Sequence, residues 1–373
     1  MKIVTIIGAR PQIIKAAALS RAIKEHYADR IQEVIVHTGQ HYDDNMSQVF
    51  FDELEIPHPD YNLHVGSSSH GMQTAKMIEG IEKILTDEKP DCIVLYGDTN
   101  STLAGAVAAS KIHIPVIHIE AGLRSFNKSM PEEINRIVCD HCSTLLFTPT
   151  KAGFDNLARE GFKTNNEGPY GIDNPKVYHC GDIMYDNSLH FSKIANQKSN
   201  LLKQLRLEGK PFVLATLHRD SNTDNPERLN AILEAFADLS KEITVVLPMH
   251  PRTRKHAAHF HADNVVVIDP VSFLEMIQLE QHARLVLTDS GGVQKESYFF
   301  KKPCVILRHE TEWVEVVATG AATLADADKD KILNASRRYL QQPPVVFPEI
   351  FGDGHAAEFI LEKTLSAIKK LDI

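Results

Sequence analysis

Short runs of aliphatic and β-branched residues alternate with longer amphipathic stretches along this chain, and no other feature limits its fold as much. The runs lie at 2–7, 33–37, 92–96, 116–119 and 144–147. Helical periodicity occupies 12–26, 43–54, 70–87, 101–112, 132–142 and 151–160. A run with no polar alternation suits a strand buried on both faces. With a helix between each pair, such strands form a parallel sheet flanked on both sides. Segment 165–175 (NNEGPYGIDNP) breaks the rhythm and reads as a loop or hinge. Strand-like runs then resume at 177–180, 212–217, 244–247, 265–268, 284–287, 305–307 and 321–324, with helices near 226–240, 272–282, 292–300, 311–319, 329–341 and 355–371. The pattern predicts an α/β chain of two doubly wound domains facing each other.

The 373 residues allow about two domains, and 43% hydrophobic with 24% charged residues excludes a disordered chain. A net charge of −9 argues against a general nucleic-acid binder but permits a local cationic pocket. No apolar run approaches the ~18–20 residues of a membrane span. The opening MKIVTIIGARPQ reads as a first core strand, and the five scattered cysteines suit a reduced, cytoplasmic setting. Cys139 and Cys142 form an isolated C-x-x-C, better explained by a helix with two small thiols than by zinc or redox chemistry. HAAHFH (256–261) has no carboxylate or cysteine at ligand spacing and reads as an exposed basic helix, so no metal is expected.

In doubly wound sheets ligands bind beyond the carboxyl ends of the strands. The first strand ends in GARPQIIK, where Gly8 suits a tight turn and Pro11 the first helical turn. Arg10 and Lys15 there suit an anion at a helix N-terminus, or are plain surface charge. Neither a dinucleotide fingerprint nor a Walker loop is present. GDTNS (97–101) places Asp98 past a strand, with Asn100 and Ser101 as helix caps; Asp98 is itself a candidate cap. HIEAGLRS puts Glu120 at the equivalent point of the next run. If those strands are neighbours, the two carboxylates share a crevice and separate into acid and base. MPEEINR opens a helix on which Glu132 and Arg136 are four apart, a plausible carboxylate–guanidinium pair. An acidic first turn is also ordinary helix chemistry.

In the second half, ATLHRDSN places His218 after a strand, as a phosphate contact, a proton shuttle or a surface histidine. TDSGGVQKE carries Ser290, Gly291 and Gly292 directly into a helix, where small residues let amides approach a diphosphate; Glu296 lies one turn on, within reach of ribose hydroxyls. Together these residues imply an anionic ligand, a nucleotide diphosphate, between two α/β domains. They do not specify a reaction.

GARPQIIK, YGDTNST, HIEAGLRS, MPEEINR, TLHR, HPRT, TDSGGVQKE and FGDGHA, in this order, resemble the non-hydrolysing UDP-N-acetylglucosamine 2-epimerase family. The resemblance implies the glycosyltransferase-B architecture of two Rossmann-like domains. Residues 1–170 plus 355–373, with the returning C-terminal helix, would form one and 171–354 the UDP-binding other. It implies inversion at C2 of a UDP-sugar without cofactor or metal, through loss of UDP to a glycal and its return to the opposite face. By motif, Arg10, His218, Ser290 and Gly291 resemble phosphate contacts and Glu296 the ribose ligand. Asp98, Glu120 and Glu132 resemble the acid/base carboxylates, with Arg136 supporting Glu132 and Lys15 an active-site cation. A homodimer supplying surface-polysaccharide precursors is also implied.

Three departures bear on the substrate. TEWVE (311–315) has Trp313 where many UDP-N-acetylglucosamine members carry arginine, and Gln12 stands where glutamate is commoner. Both resemble the branch acting on UDP-2,3-diacetamido-2,3-dideoxyglucuronate. GQHYDDNM (39–46) lacks the pattern that helps some members bind a second, activating substrate. The expectation is therefore C2 epimerisation of UDP-N-acetylglucosamine to UDP-N-acetylmannosamine, with the diacetamido-uronate as the alternative. A hydrolysing epimerase, a glycosyltransferase and a non-catalytic nucleotide-sugar sensor are the remoter readings.

Overall fold

The computed structural model describes residues 1–39, 56–257 and 259–368. The expected helix at 43–54 and nearly all of GQHYDDNM lie outside these residues. The chain divides into two compact units, Met1–Asn187 with Ile350–Ile373, and Ser188–Glu349.

The first unit is built on a parallel sheet of β1 (Lys2–Ile7), β2 (Gln32–His37), β3 (Tyr61–Asn62), β4 (Cys92–Tyr96), β5 (Val116–Ile119), β6 (Leu145–Thr148) and β7 (Lys176–His179), in the order β3-β2-β1-β4-β5-β6-β7. Its central strand β1 is apolar because both faces are covered: Ile3, Val4, Ile6 and Ile7 are buried. On one face, helix His70–Glu88 contributes Met77, Ile81, Ile84 and Leu85, a helical i, i+4, i+7 stripe. Helix Asn100–Lys111 instead offers alanines and Gly105. A Cβ on Gly105 would lie 2.5 Å from the Leu95 side chain, so small residues let this helix lie close to the sheet.

The second unit repeats the design with β8 (Phe212–Thr216), β9 (Thr244–Pro248), β10 (Val265–Ile268), β11 (Leu285–Thr288), β12 (Cys304–Ile306) and β13 (Ala322–Leu324), ordered β10-β9-β8-β11-β12-β13. Its core packs Ile232, Phe236 and Leu239 of helix Pro226–Ser240 and Ile332 of helix Lys329–Gln341 against Val213, Leu247 and Leu285. No helix among the described residues is long and apolar enough to cross a membrane.

Two expectations are corrected. The boundary falls at Asn187/Ser188, inside helix Ile183–Lys198, not at 170/171, and again at Glu349/Ile350. Strand β7 pairs with β6 and completes the first sheet. Segment 165–175 is rich in turn residues because it bonds to itself. Asn174 Nδ2 donates to the Glu167 and Pro169 carbonyls, and Asn166 Nδ2 to Asn174 Oδ1. HAAHFH is helical only as far as His256, the last residue of helix Pro251–His256. Helix Ala356–Ile368 belongs to the first unit, where the Asp186 carboxylate accepts from the Ala356 and Ala357 amides at 3.1 and 2.8 Å.

Candidate functional site

In each sheet the chain winds outward in both directions from two central strands. In the first sheet these are β1 and β4, and in the second β8 and β11. Ligands of doubly wound sheets collect past the carboxyl ends at such switch points. Arg10 and Lys15 follow β1, Asp98 follows β4 and Glu120 follows its neighbour β5; His218 follows β8, and Ser290, Gly291 and Gly292 follow β11.

In the first unit, β4 and β5 pair from Ile93↔Val116 to Tyr96↔Ile119, so Asp98 and Glu120 leave adjacent strand ends. Glu120 has φ +73°, a left-handed conformation that a side-chain-bearing residue adopts at a cost. The surroundings impose it: the Glu120 and Ala121 amides both donate to the Phe147 carbonyl, each at 3.0 Å. The Glu120 carboxylate forms a short ion pair with Lys15 Nζ, and both side chains are largely buried. The pair lies against Gly97, where a Cβ would come within 3.1 Å of Glu120 Oε2 and of Lys15 Nζ. Gly97 also has φ +61°, so this turn requires glycine twice over.

Asp98 has a different cation. Arg136 Nη2 donates to Asp98 Oδ2 at 2.6 Å and Nη1 to Glu133 Oε2 at 2.8 Å. The expected Glu132–Arg136 pair is thus corrected to Glu133–Arg136. Glu133 is buried and also accepts the Ser125 and Phe126 amides, each at 2.9 Å, which fixes the loop after Glu120. Burial pushes its carboxyl up, but the Ser125 amide and Arg136 together hold it below its usual value. Burial would lower the Arg136 pKa, yet Asp98 and Glu133 raise it. Glu132 is exposed on the first helical turn. Asp98 thus faces the Arg136 guanidinium and Glu120 the Lys15 ammonium.

Gln12 and Gly8 act differently from expectation. Gln12 Oε1 accepts the Gly8 and Ala9 amides at 2.9 and 3.2 Å, while Nε2 donates to the Tyr96 carbonyl and to Thr102 Oγ1, each at 3.0 Å. An amide satisfies both sets, whereas a carboxylate satisfies only the first. Gly8 has no left-handed φ; a Cβ there would strike Ser101 Oγ and Thr38 Oγ1 at 2.1 and 2.2 Å. Thr99, rather than Asn100 or Ser101, caps helix Asn100–Lys111. Asn100 is turned inward to Gln73 and Asn135.

In the second unit, Ser290 caps helix Gly291–Phe299. The first amides of a helix have no acceptor within it, which suits them to an anion. The two glycines differ. A Cβ on Gly291 would lie 2.2 Å from Glu312 Oε1, so its missing side chain makes room for the Arg308–Glu312 pair. Gly292 is exposed, with nothing nearer to its Cβ position than Ser290 Oγ at 3.8 Å and Glu296 Oε2 at 3.9 Å. Glu296 lies one turn on. Behind it, Glu280 is fully buried, and neither of its carboxyl oxygens meets a donor among the described residues. Burial and the nearby Glu296 raise its pKa well above the usual carboxyl range.

Trp313 is buried with Lys295 Nζ over its ring, 4.3 Å from the centroid, and its Nε1 lies 3.7 Å from the Gly291 Cβ position. Sequence reasoning missed Asp289, the last link. It is fully buried and accepts the His218 and Arg219 amides at 3.0 and 3.1 Å and Asn222 Nδ2 at 3.0 Å, so it ties the His218 loop to the glycine turn. His218 keeps part of its surface in solvent. Protein packed around the ring still lowers its pKa; Asp289 opposes that shift and His250 adds to it. Among the described residues, no group of three or more histidine, cysteine, aspartate or glutamate side chains is arranged to hold a metal ion.

The UDP-N-acetylglucosamine 2-epimerase family model matches residues 22–365. The chain is 50% identical over 364 residues to UDP-2,3-diacetamido-2,3-dideoxy-D-glucuronate 2-epimerase of Pseudomonas aeruginosa, covering 97% of this chain and 99% of that one. It is 48% identical over 370 residues to a UDP-N-acetylglucosamine 2-epimerase homolog of Methanococcus maripaludis, again covering 97% and 99%. The crystal structure of the Methanocaldococcus jannaschii UDP-GlcNAc 2-epimerase in complex with UDP-GlcNAc and UDP matches with a TM-score of 0.82 and 40% identity over 98% of this chain and 100% of that one. Both sheets, their switch-point residues and these likenesses along nearly the whole chain agree, and the chain belongs to the UDP-N-acetylglucosamine 2-epimerase family.

Proposed function

We propose that this enzyme inverts C2 of a UDP-2-acetamido sugar: a base takes the C2 proton as the C1–O bond to UDP breaks, leaving a glycal, and UDP then rebonds to C1 on the face it left while a proton is delivered to the opposite face of C2. The observation that carries this reading is the pair of carboxylates, Asp98 and Glu120, on adjacent strand ends, each held by its own cation. A C2 proton is only weakly acidic, so a positioned base and a stabilised leaving group must share the work. Asp98, next to Gly97 in the chain, and Glu120, packed against Gly97, supply the two carboxyl groups. Glu132, exposed and without a hydrogen bond or ion pair among the described residues, can exchange protons with solvent. In the second unit, we assign the departing diphosphate to His218 and the helix start at Ser290, Gly291 and Gly292, and the ribose to Glu296; Arg10 of the first unit matches a phosphate contact of the family by motif.

Of the two sugars, we favour the 2,3-diacetamido-glucuronate over N-acetylglucosamine. Identity is 50% to the P. aeruginosa enzyme named for that uronate and 40% to the M. jannaschii UDP-GlcNAc enzyme. Trp313, one of the residues that depart from the UDP-N-acetylglucosamine pattern, is buried beside the glycine turn to which we assign the diphosphate. The product would feed surface-polysaccharide synthesis.

Both UDP-sugars, incubated separately in heavy water, test the reading. Deuterium at C2 of both epimers and a higher kcat/KM for the uronate are expected. Epimerisation with the original hydrogen retained would sink the elimination, and preference for UDP-N-acetylglucosamine would return the sugar to the first expectation. Asp98→Asn and Glu120→Gln should each lower kcat by roughly 10²–10⁴-fold.

A further inference from the structure

Two residues before Glu120, β5 carries His118, fully buried in the strand. Both of its ring nitrogens meet acceptors. Nδ1 lies 2.7 Å from Asp140 Oδ1 and Nε2 lies 2.8 Å from the Gly97 carbonyl oxygen. A neutral imidazole has one N–H and one lone pair. In either tautomer the lone pair would face an oxygen lone pair at hydrogen-bond distance. A proton on Asp140 Oδ1 would relieve the Nδ1 contact, but it would neutralise a carboxylate whose other oxygen faces the Arg124 guanidinium. Oδ2 lies 2.7 Å from Arg124 Nη2 and 3.2 Å from the Gly122 amide, both donors. Arg124 in turn holds Glu160 through Nε and Nη2, each at 2.7 Å. The proton therefore resides on the ring, and a chain of alternating charge, His118–Asp140–Arg124–Glu160, runs through the base of the site.

We propose that His118 is a positioning residue of the reaction, a buried imidazolium that sets the Gly97–Asp98 turn and the strand end carrying Glu120. The proposal rests on the epimerase reading above. A trans peptide holds its C=O and N–H in opposite directions. Once Nε2–H draws the Gly97 carbonyl inward, the Asp98 amide faces the other way and the direction in which Asp98 leaves the strand is fixed. Gly97 is also the residue against which Glu120 and Lys15 pack. Asp140 extends the same control to the opposite end of the loop, because it holds the Gly122 amide just after Glu120. One ring thus sets the backbone beneath both carboxylates while touching neither.

The groups facing the ring agree with this state. Asp140 and the Cys139 thiol come from helix Pro131–Cys142, the Gly97 carbonyl from the end of β4, and Arg124 reaches it through Asp140. Burial alone would lower the His118 pKa, but Cys139 and, after it, the hydrogen bond to Asp140 and its charge outweigh burial and raise the pKa well above the ordinary value. Burial would raise the Asp140 pKa, yet His118 and Arg124 hold it low.

The test combines ¹⁵N NMR of the histidine rings in the full-length enzyme with steady-state kinetics of His118→Gln. The His118 signal is assigned as the one of 19 histidines missing from the variant. The expected wild-type ring carries protons on both nitrogens at neutral and mildly alkaline pH. In the variant, kcat is expected to fall by roughly a hundred-fold with KM changed by less than about two-fold, the signature of misplaced catalytic groups rather than lost substrate contacts. A singly protonated wild-type ring overturns the proposal, as does a kcat within about two-fold of wild type or a loss carried by KM. If His118→Gln does not fold, Asp140→Asn replaces it. The ring is then expected to give up one proton and kcat to fall; an unchanged ring with unchanged kcat overturns the proposal. The ring measurement needs no substrate. A wild-type enzyme that epimerises no UDP-sugar would count against the epimerase reading and leave the protonation state separately decided.

Discussion

Arg136 holds Asp98 with one amino group, at 2.6 Å, while its other amino group holds Glu133 at 2.8 Å. The guanidinium thus joins a carboxylate proposed for chemistry to one that fixes a loop. Only a planar fork can serve both at once. In Arg136→Lys the charge stays and one partner is lost, so kcat should fall about ten-fold or more with a smaller change in KM. Arg136→Met should also destabilise the protein by about 3 kcal/mol, because Glu133 is then a buried charge with no cation. Kinetics and chemical denaturation of both variants check this. Equal stability of Arg136→Met and wild type would sink it.

Gly97→Ala tests the turn between the two carboxylates. The left-handed φ of +61° costs a side-chain-bearing residue about 1–2 kcal/mol. The new methyl group would also come within 3.1 Å of Glu120 Oε2 and Lys15 Nζ. The thermal midpoint should fall, and kcat should fall by roughly ten- to a hundred-fold through displacement of that pair. A variant that loses stability and keeps its kcat would show that the position of the pair does not matter.

Gly292→Ala separates ligand contact from folding. An added Cβ would meet its nearest neighbours at ordinary contact distances, 3.8 and 3.9 Å, so the fold is undisturbed. If a diphosphate passes over the Gly292 amide, the methyl group blocks it, and UDP affinity measured by calorimetry should fall about ten-fold or more, at least 1.4 kcal/mol. Unchanged UDP binding would remove Gly292 from the anion site.

Asp186 predicts a pH dependence of stability. Burial raises its pKa from 3.8 to about 6, despite bonds from the Ala357 and Ala356 amides; Asp182 adds to the rise and Arg21 opposes it. The folded state then holds this proton more tightly than the unfolded state. Stability from the group is full below the unfolded pKa of 3.8 and is lost as pH rises through about 6. The shift corresponds to about 3 kcal/mol. Hydrogen exchange in helix Ala356–Ile368 should show wild type losing that much, relative to Asp186→Asn, between acidic and neutral pH. Parallel profiles for the two proteins would contradict it.

The strand ends were legible in the sequence because a doubly buried parallel strand is an uninterrupted apolar run. The first charged residue beyond it, such as Asp98 or Glu120, therefore stands out. Glu133 did not stand out. Positions three and four residues before Arg136 share a helical face, and periodicity cannot separate Glu132 from Glu133. The choice is made by the Ser125 and Phe126 amides, which need an acceptor only once the preceding loop has folded. Asp289 was hidden in the same way. Its task is to bond amides 67–71 positions earlier in the chain, a relation that appears only when β8 and β11 are adjacent. Segment 165–175 misled because a loop that bonds to itself has the same composition as a linker.

The composition of the first unit also bears on the order in which the molecule can be made. Its sheet is complete by His179, but helix Ala356–Ile368, which Asp186 caps, is translated after every residue of the second unit. During synthesis the continuous second unit has all of its own chain at hand first, while the earlier-made unit must wait, with the surface meant for Ile360, Leu361 and Leu365 uncovered, until helix Ala356–Ile368 has been translated. A ribosome that stalls past residue 349 therefore releases one finished half and one unfinished half.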